Sequence, residues 1–211
     1  MKKASVVLLC LATLCATRPG VARTAQQTNT IGTSLQASST EAMYRAAADS
    51  ADSKFRHIVR NGALSHPDQT PTVLTEREIN AYVSSGKVSL PKGVTRLRFS
   101  GNAGSITANA LIDFDKITEG KRNLNPLLSL FSGVHQVEVT SHGQGARGQA
   151  RVHIDSVSID GIGVPRIALQ YFVDRYIKPK YPNLGLDSQF ALPDRIDSAT
   201  VGDHVLTVIQ K

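Results

Sequence analysis

His57, His66, His135, His142, His153 and His204 are the side chains that would exchange protons near neutral pH or bind a transition metal through imidazole nitrogen. A helical zinc motif would space two of them by four residues, and no pair here is spaced so. A metal would need long-range convergence, so none is expected, and the histidines are read as solvent-facing or strand-edge residues. Two close carboxylate pairs, Asp113 with Asp115 and Asp155 with Asp160, have the residue types a glycosidase needs on either side of its scissile bond. Asp113 and Asp155, however, fall on the polar faces of alternating segments, where charge is ordinarily just solvated. There is no G-x-S-x-G elbow, no H-E-x-x-H, no P-loop and no G-x-G-x-x-G between a strand and a helix. Gly161-Ile162-Gly163 lacks the remaining glycine. The chain is therefore read as a non-enzyme without a cofactor.

The informative residues are apolar and lie in odd places. Leu124-Asn125-Pro126-Leu127-Leu128-Ser129-Leu130-Phe131 falls in a connection between strands, where polar residues are the rule. Such a run either plugs the core as a short helix or forms a flap over an apolar cavity or a tip that touches a membrane. Ala108, Ala110, Ala146, Gly148 and Ala150, on inward strand positions, are small and leave space. That space is filled by close approach of a helix or by an acyl chain. The candidate lipid-binding residues are Leu127, Leu128, Leu130 and Phe131 at the mouth, with walls including Ile106, Ile112, Phe114, Leu169 and Phe172.

These residues would have to be held by one domain. Residues 1–22 read as an export signal: Lys2 and Lys3, a 13-residue apolar stretch over 4–16, then Pro19 and the small-x-small site Gly20-Val21-Ala22. The stretch is shorter than the about 20 apolar residues that cross a bilayer. Neither Leu9 before Cys10 nor Leu14 before Cys15 suits lipidation, and both cysteines leave with the signal, which excludes a disulfide framework. Removing the signal leaves 189 residues with 21 basic against 17 acidic side chains, a net +4. The charges are scattered, so no nucleic acid is expected. The product is expected to be a soluble monomer, periplasmic or secreted, with at most peripheral membrane contact.

Residues 23–38 are rich in Thr, Ser and Gln and read as a flexible polar leader, and 39–211 as a single domain. A capping box at Ser38-Ser39-Thr40-Glu41 would open a helix that runs to about Arg60, with Gly62 just past its end and Met43, Ala47, Ala51, Phe55 and Ile58 along one stripe. A second box, Thr75 with Glu78, and a staple of Leu74 with Ile79 predict a helix over 76–84 that Gly86 stops.

Period 2 then takes over. Strands are predicted over 94–99, 105–114, 134–141 and 146–154, with a β-bulge near Ser156, where the alternation changes phase. A closing hairpin over 196–201 and 204–209 would turn on Gly202-Asp203. Pro165 would open a helix ending before Pro179, with the stripe Ala168, Leu169, Phe172, Val173 and Tyr176. Ile167 and Tyr171 on its other face imply cover on more than one side, which a curved sheet would provide. Two or three helices and six or more strands are expected, an α+β fold.

Leu74-Thr75-Glu76-Arg77-Glu78-Ile79-Asn80-Ala81-Tyr82, the alternating strand at 105–114, the turn from Gly161 to Pro165 into a helix, and Phe190-Ala191-Leu192-Pro193-Asp194-Arg195-Ile196 before a hairpin resemble the bacterial LmeA-like phospholipid-binding proteins and their tubular lipid-binding relatives. The resemblance covers roughly residues 73–210. It implies export, a long and strongly curved antiparallel sheet wrapped around a helix, an apolar channel and lipid binding, with no catalytic motif to carry over. The helix near residues 40–60 lies outside it. The leading expectation is thus a lipid or acyl-chain carrier or sensor of the cell envelope. The alternative is a non-enzymatic scaffold whose core is filled by its own side chains.

Overall fold

The computed structural model describes residues 34–118, 132–179 and 182–211. The expected signal over 1–22, residues 23–33 of the leader, and Leu127, Leu128, Leu130 and Phe131 lie outside the described residues. In chain order the elements are α1 (Ser34–Gly62), β1 (Thr72–Thr75), α2 (Glu76–Ser84), β2 (Val94–Asn102), β3 (Ser105–Asp113), α3 (Phe114–Thr118), β4 (Val134–Ala146), β5 (Gln149–Ile159), β6 (Ile162–Gly163), α4 (Arg166–Phe172), β7 (Asp187–Ala191), β8 (Ile196–Val201) and β9 (Val205–Gln210). A π-helical turn, Val173–Ile177, continues α4. Among the described residues this is an α+β arrangement of four helices and one antiparallel sheet of nine strands.

α2 forms where its caps dictate. Thr75 takes the Glu78 amide on its hydroxyl while the Glu78 carboxylate reaches back to the Thr75 amide, so two orphan donors are satisfied at once. Leu74 and Ile79 are both buried in the core, and Gly86, at φ 77°, follows the helix end. α1 departs from expectation at its start. It begins at Ser34 and runs through Ser38–Glu41, so that tetrad does not cap it, and the helix takes in residues 34–38 of the expected leader. Gly62 is its last residue rather than the residue beyond it.

Along the sheet the order is β1-β9-β8-β4-β3-β2, with β5 on the other edge of β4 and β6 and β7 on β5. One edge of β4 is thus divided: β3 pairs with its residues 134–142, and Ala199 of β8 meets Gly145. The close crossing needs glycine, because a Cβ there would stand 3.0 Å from the Cβ of Ala199. Arg147 and Gly148, both at positive φ, close β4 onto β5 in a two-residue turn. Thr140 faces Ser156 while Ser141 faces Ile154, so Asp155 is the extra, bulged residue, one position from where the phase change placed it.

Registers put the apolar side chains on one face. Leu97 and Phe99 pair with Ala110 and Ala108, which pair in turn with Val137 and Val139. α1 and α2 cover the part of this face nearest β1, β2, β8 and β9, where Ala51, Phe55, Ile58, Tyr82 and Val83 join Leu74, Leu97, Phe99 and Val208 in the main cluster. Phe55 and Tyr82 bring their rings to 4.8 Å. Each such fully buried large side chain contributes about 1.5–3 kcal/mol relative to exposure.

Four expectations fail. The sheet stays open and is not strongly curled. No residue of α4 is buried, and Ile167 is 83% exposed, so the helix read as covered on two sides lies at the surface. The closing hairpin turns on Asp203-His204 rather than Gly202-Asp203: Val201 pairs with Leu206, the Gly202 amide donates to the Val205 carbonyl, and His204 lies in the left-handed region. His204 is held there by its amide on the Gly101 carbonyl and its carbonyl on the Glu76 amide. The fourth helix beyond the expected two or three is α3, a single turn after β3.

Candidate functional site

Past the cover of α1 and α2, the apolar face carries a second cluster. Phe114 and Val137 are buried in it, and Ile112, Val139, Val157 and Ile159 pack against them only partly buried. Of the expected lipid-binding residues, the structure thus brings Ile112 and Phe114 together. Ile106 lies on the same face but packs against the main cluster. Leu169 is half-buried and Phe172 is 38% exposed on α4, and neither belongs to the two clusters.

The opposite face is polar and holds a groove of about 970 Å³ where β3 gives way to β8 along β4. None of the expected wall residues lines it; His142, Gln144, Arg151, His153, Asp187 and Thr200 do. His142 and His153 are direct cross-strand partners, and their ring centroids stand 5.0 Å apart. Each imidazole is tied through Nδ1 to a carboxylate. Asp155, two residues on from His153 and so on the same face, meets His142 at 2.6 Å, and Asp187, the cross-strand partner of His153 on β7, bonds the second ring. The other oxygen of Asp187 accepts from Arg166 at 3.2 Å, and Arg166 also reaches the Ile154 carbonyl. The hydrogen bond from His153, with the Arg166 guanidinium nearby, holds the Asp187 carboxyl below its ordinary range despite some desolvation.

Two more histidines repeat the pairing elsewhere. Nδ1 of His135 meets Asp160 at 2.6 Å while its Nε2 faces the Ser132 carbonyl, so both ring nitrogens point at acceptors and the imidazolium is favoured. The bond to Asp160, above all, raises the His135 pKa. His204 meets Glu76 at 2.6 Å with the same consequence. The suspected carboxylate pairs act separately. Asp155 and Asp160 each serve a different histidine, Asp113 takes Lys116, and Asp115 accepts the Gly133 amide.

The face-to-face histidines escaped the sequence reading, although a signal existed. Once Arg147-Gly148 is taken as a two-residue turn, residues that sum to the same number face each other, and His142 falls opposite His153. Starting the second strand at Ala146 concealed that register. The chain matches no protein-family model, no curated protein and no solved structure. Among the described residues no helix is long and apolar enough to cross a membrane, and no three or more His, Cys, Asp or Glu side chains gather as a metal cage.

Proposed function

We propose that this chain is an exported bacterial cell-envelope protein that binds a lipid or other acyl-chain ligand, as a carrier or sensor rather than an enzyme. The observation that supports this reading is the extension of the apolar sheet face beyond its helical cover. Ile112, Val139, Val157 and Ile159 remain only partly buried there, and the chain leaves that end of the sheet through Ile162, 75% exposed, into α4 with Ile167 on its surface. Apolar surface of this continuity on one face of a sheet suits an extended hydrocarbon chain. In this reading Leu127, Leu128, Leu130 and Phe131 guard the mouth.

The test is extraction of the purified protein with organic solvent, followed by mass spectrometry of the extract. Lipid in near-stoichiometric amount is the expected result. Its absence after expression in several hosts would favour the alternative, a scaffold with a self-filled core that binds another protein.

A further inference from the structure

On the opposite face from the apolar clusters, we propose that His142 and His153 bind a divalent transition-metal ion of the zinc–copper class. Their registers place them directly across two hydrogen-bonded strands, with ring centroids 5.0 Å apart, about the separation of two imidazoles that share one ion at metal–nitrogen distances of about 2.0–2.1 Å. Both Nδ1 atoms face carboxylates, Asp155 and Asp187. In the neutral ring that fixes the proton on Nδ1 and leaves the lone pair on Nε2, the arrangement in which carboxylates orient metal-binding imidazoles. Neither Nε2 makes a hydrogen bond among the described residues, and the two side chains are 60% and 35% exposed at the groove, so an ion has access.

The charge around the pair selects the class of ion. Asp155 and Asp187 supply two negative charges, while Arg166 on Asp187 and Arg151 in the same groove supply two positive ones. A hard cation such as Ca²⁺ or Mg²⁺, which binds through oxygen and charge, gains little here. An ion that binds through imidazole nitrogen gains most, and affinity is expected to be higher for Cu²⁺ than for Zn²⁺. With two protein nitrogens as donors, water fills the remaining positions, leaving the ion open to an outside ligand. This inference is independent of lipid binding.

Isothermal titration of the purified chain with ZnSO₄, and electron paramagnetic resonance after adding one equivalent of CuSO₄, test the site. One ion per chain is expected, with nitrogen hyperfine structure on the copper signal. His142→Gln with His153→Gln should abolish both results. Asp155→Asn and Asp187→Asn, which keep both ligands, should each weaken binding by about 10–100-fold. His135→Gln and His204→Gln, whose rings lie in other pairs, should leave it unchanged. Circular dichroism of each variant without metal establishes that it is folded. Binding that survives the double substitution, or that is lost instead in His135→Gln or His204→Gln, would overturn the assignment, as would the absence of one-to-one binding in the wild-type chain.

Discussion

Lys54 on α1 donates to Glu78 of α2 across 2.6 Å, so the residue that completes the α2 capping box also joins the two helices that cover the sheet. Ser50 donates to the same Glu78 oxygen at 2.6 Å, and the Thr75 amide and hydroxyl bond the other. Burial opposes ionisation of Glu78, but these donors outweigh it and hold the carboxyl at about 2. Replacing Glu78 with Ala keeps the Thr75 hydroxyl on the amide of residue 78 but takes the carboxylate away from the Thr75 amide, Ser50 and Lys54, and should cost about 1–3 kcal/mol in urea unfolding.

The same carboxyl sets a pH dependence. Its folded pKa lies below its ordinary 4.5, so the stability it contributes is complete above 4.5 and is lost as pH falls towards about 2. The stability gap between the wild-type chain and Glu78→Gln should be constant above 4.5 and shrink below it. A gap that stays constant across the acid range would show that Glu78 does not ionise as described.

His135 and His204 act at the other end of the scale. Both have pKa values raised above 6.5, chiefly by Asp160 and Glu76, so their contribution is complete below 6.5 and fades as pH rises through the raised values. Asp160 is lowered by His135, and Glu76, against the cost of its burial, is lowered by His204, Gly101 and Ser100. Their contributions fade only in acid. The two sets overlap between 4.5 and 6.5, where the melting temperature should be highest. His204→Gln should lower the melting temperature inside that window and converge on wild type at alkaline pH.

What was legible in the chain was local. The Thr75–Glu78 box, the alternation of Ile106, Ala108, Ala110 and Ile112, and the phase change at the bulge depend on neighbours within a few residues, and each has its counterpart in the structure. What depended on distant partners was not. The pairing of His142 with His153 follows from a turn position, the division of the β4 edge between β3 and β8 follows from the closeness Gly145 permits, and the exposure of α4 follows from where the sheet ends. Ile167 and Tyr171 give α4 an apolar second face whether or not anything covers it, and periodicity does not encode the cover.

Gly62 carries a prediction that its position at a helix end conceals. A Cβ there would lie 2.2 Å from the Asp194 carbonyl oxygen, in backbone that cannot move without disturbing the buried Gln210. Gln210 donates to the Ile58 and Asp194 carbonyls and accepts from Asn61, fastening the end of α1 to β9. Gly62→Ala should therefore destabilise by about 1–3 kcal/mol through overpacking, although alanine is the better helix former. A neutral or stabilising effect would mean that α1 docks elsewhere.

The last prediction separates the two functional readings. If Leu128 and Phe131 guard the mouth of an acyl-chain site, Leu128→Asn with Phe131→Asn should weaken lipid uptake while the fold survives. Each methylene removed from hydrocarbon contact costs about 0.8 kcal/mol, so losing three would lower affinity roughly fiftyfold. If instead the same residues fill the protein's own core, the cost falls on folding, and the melting temperature drops by several degrees with no change in lipid content. Measuring bound lipid and melting temperature on the same preparation distinguishes the outcomes. A large melting shift with normal lipid loading would sink the mouth assignment without touching the metal site on the opposite face.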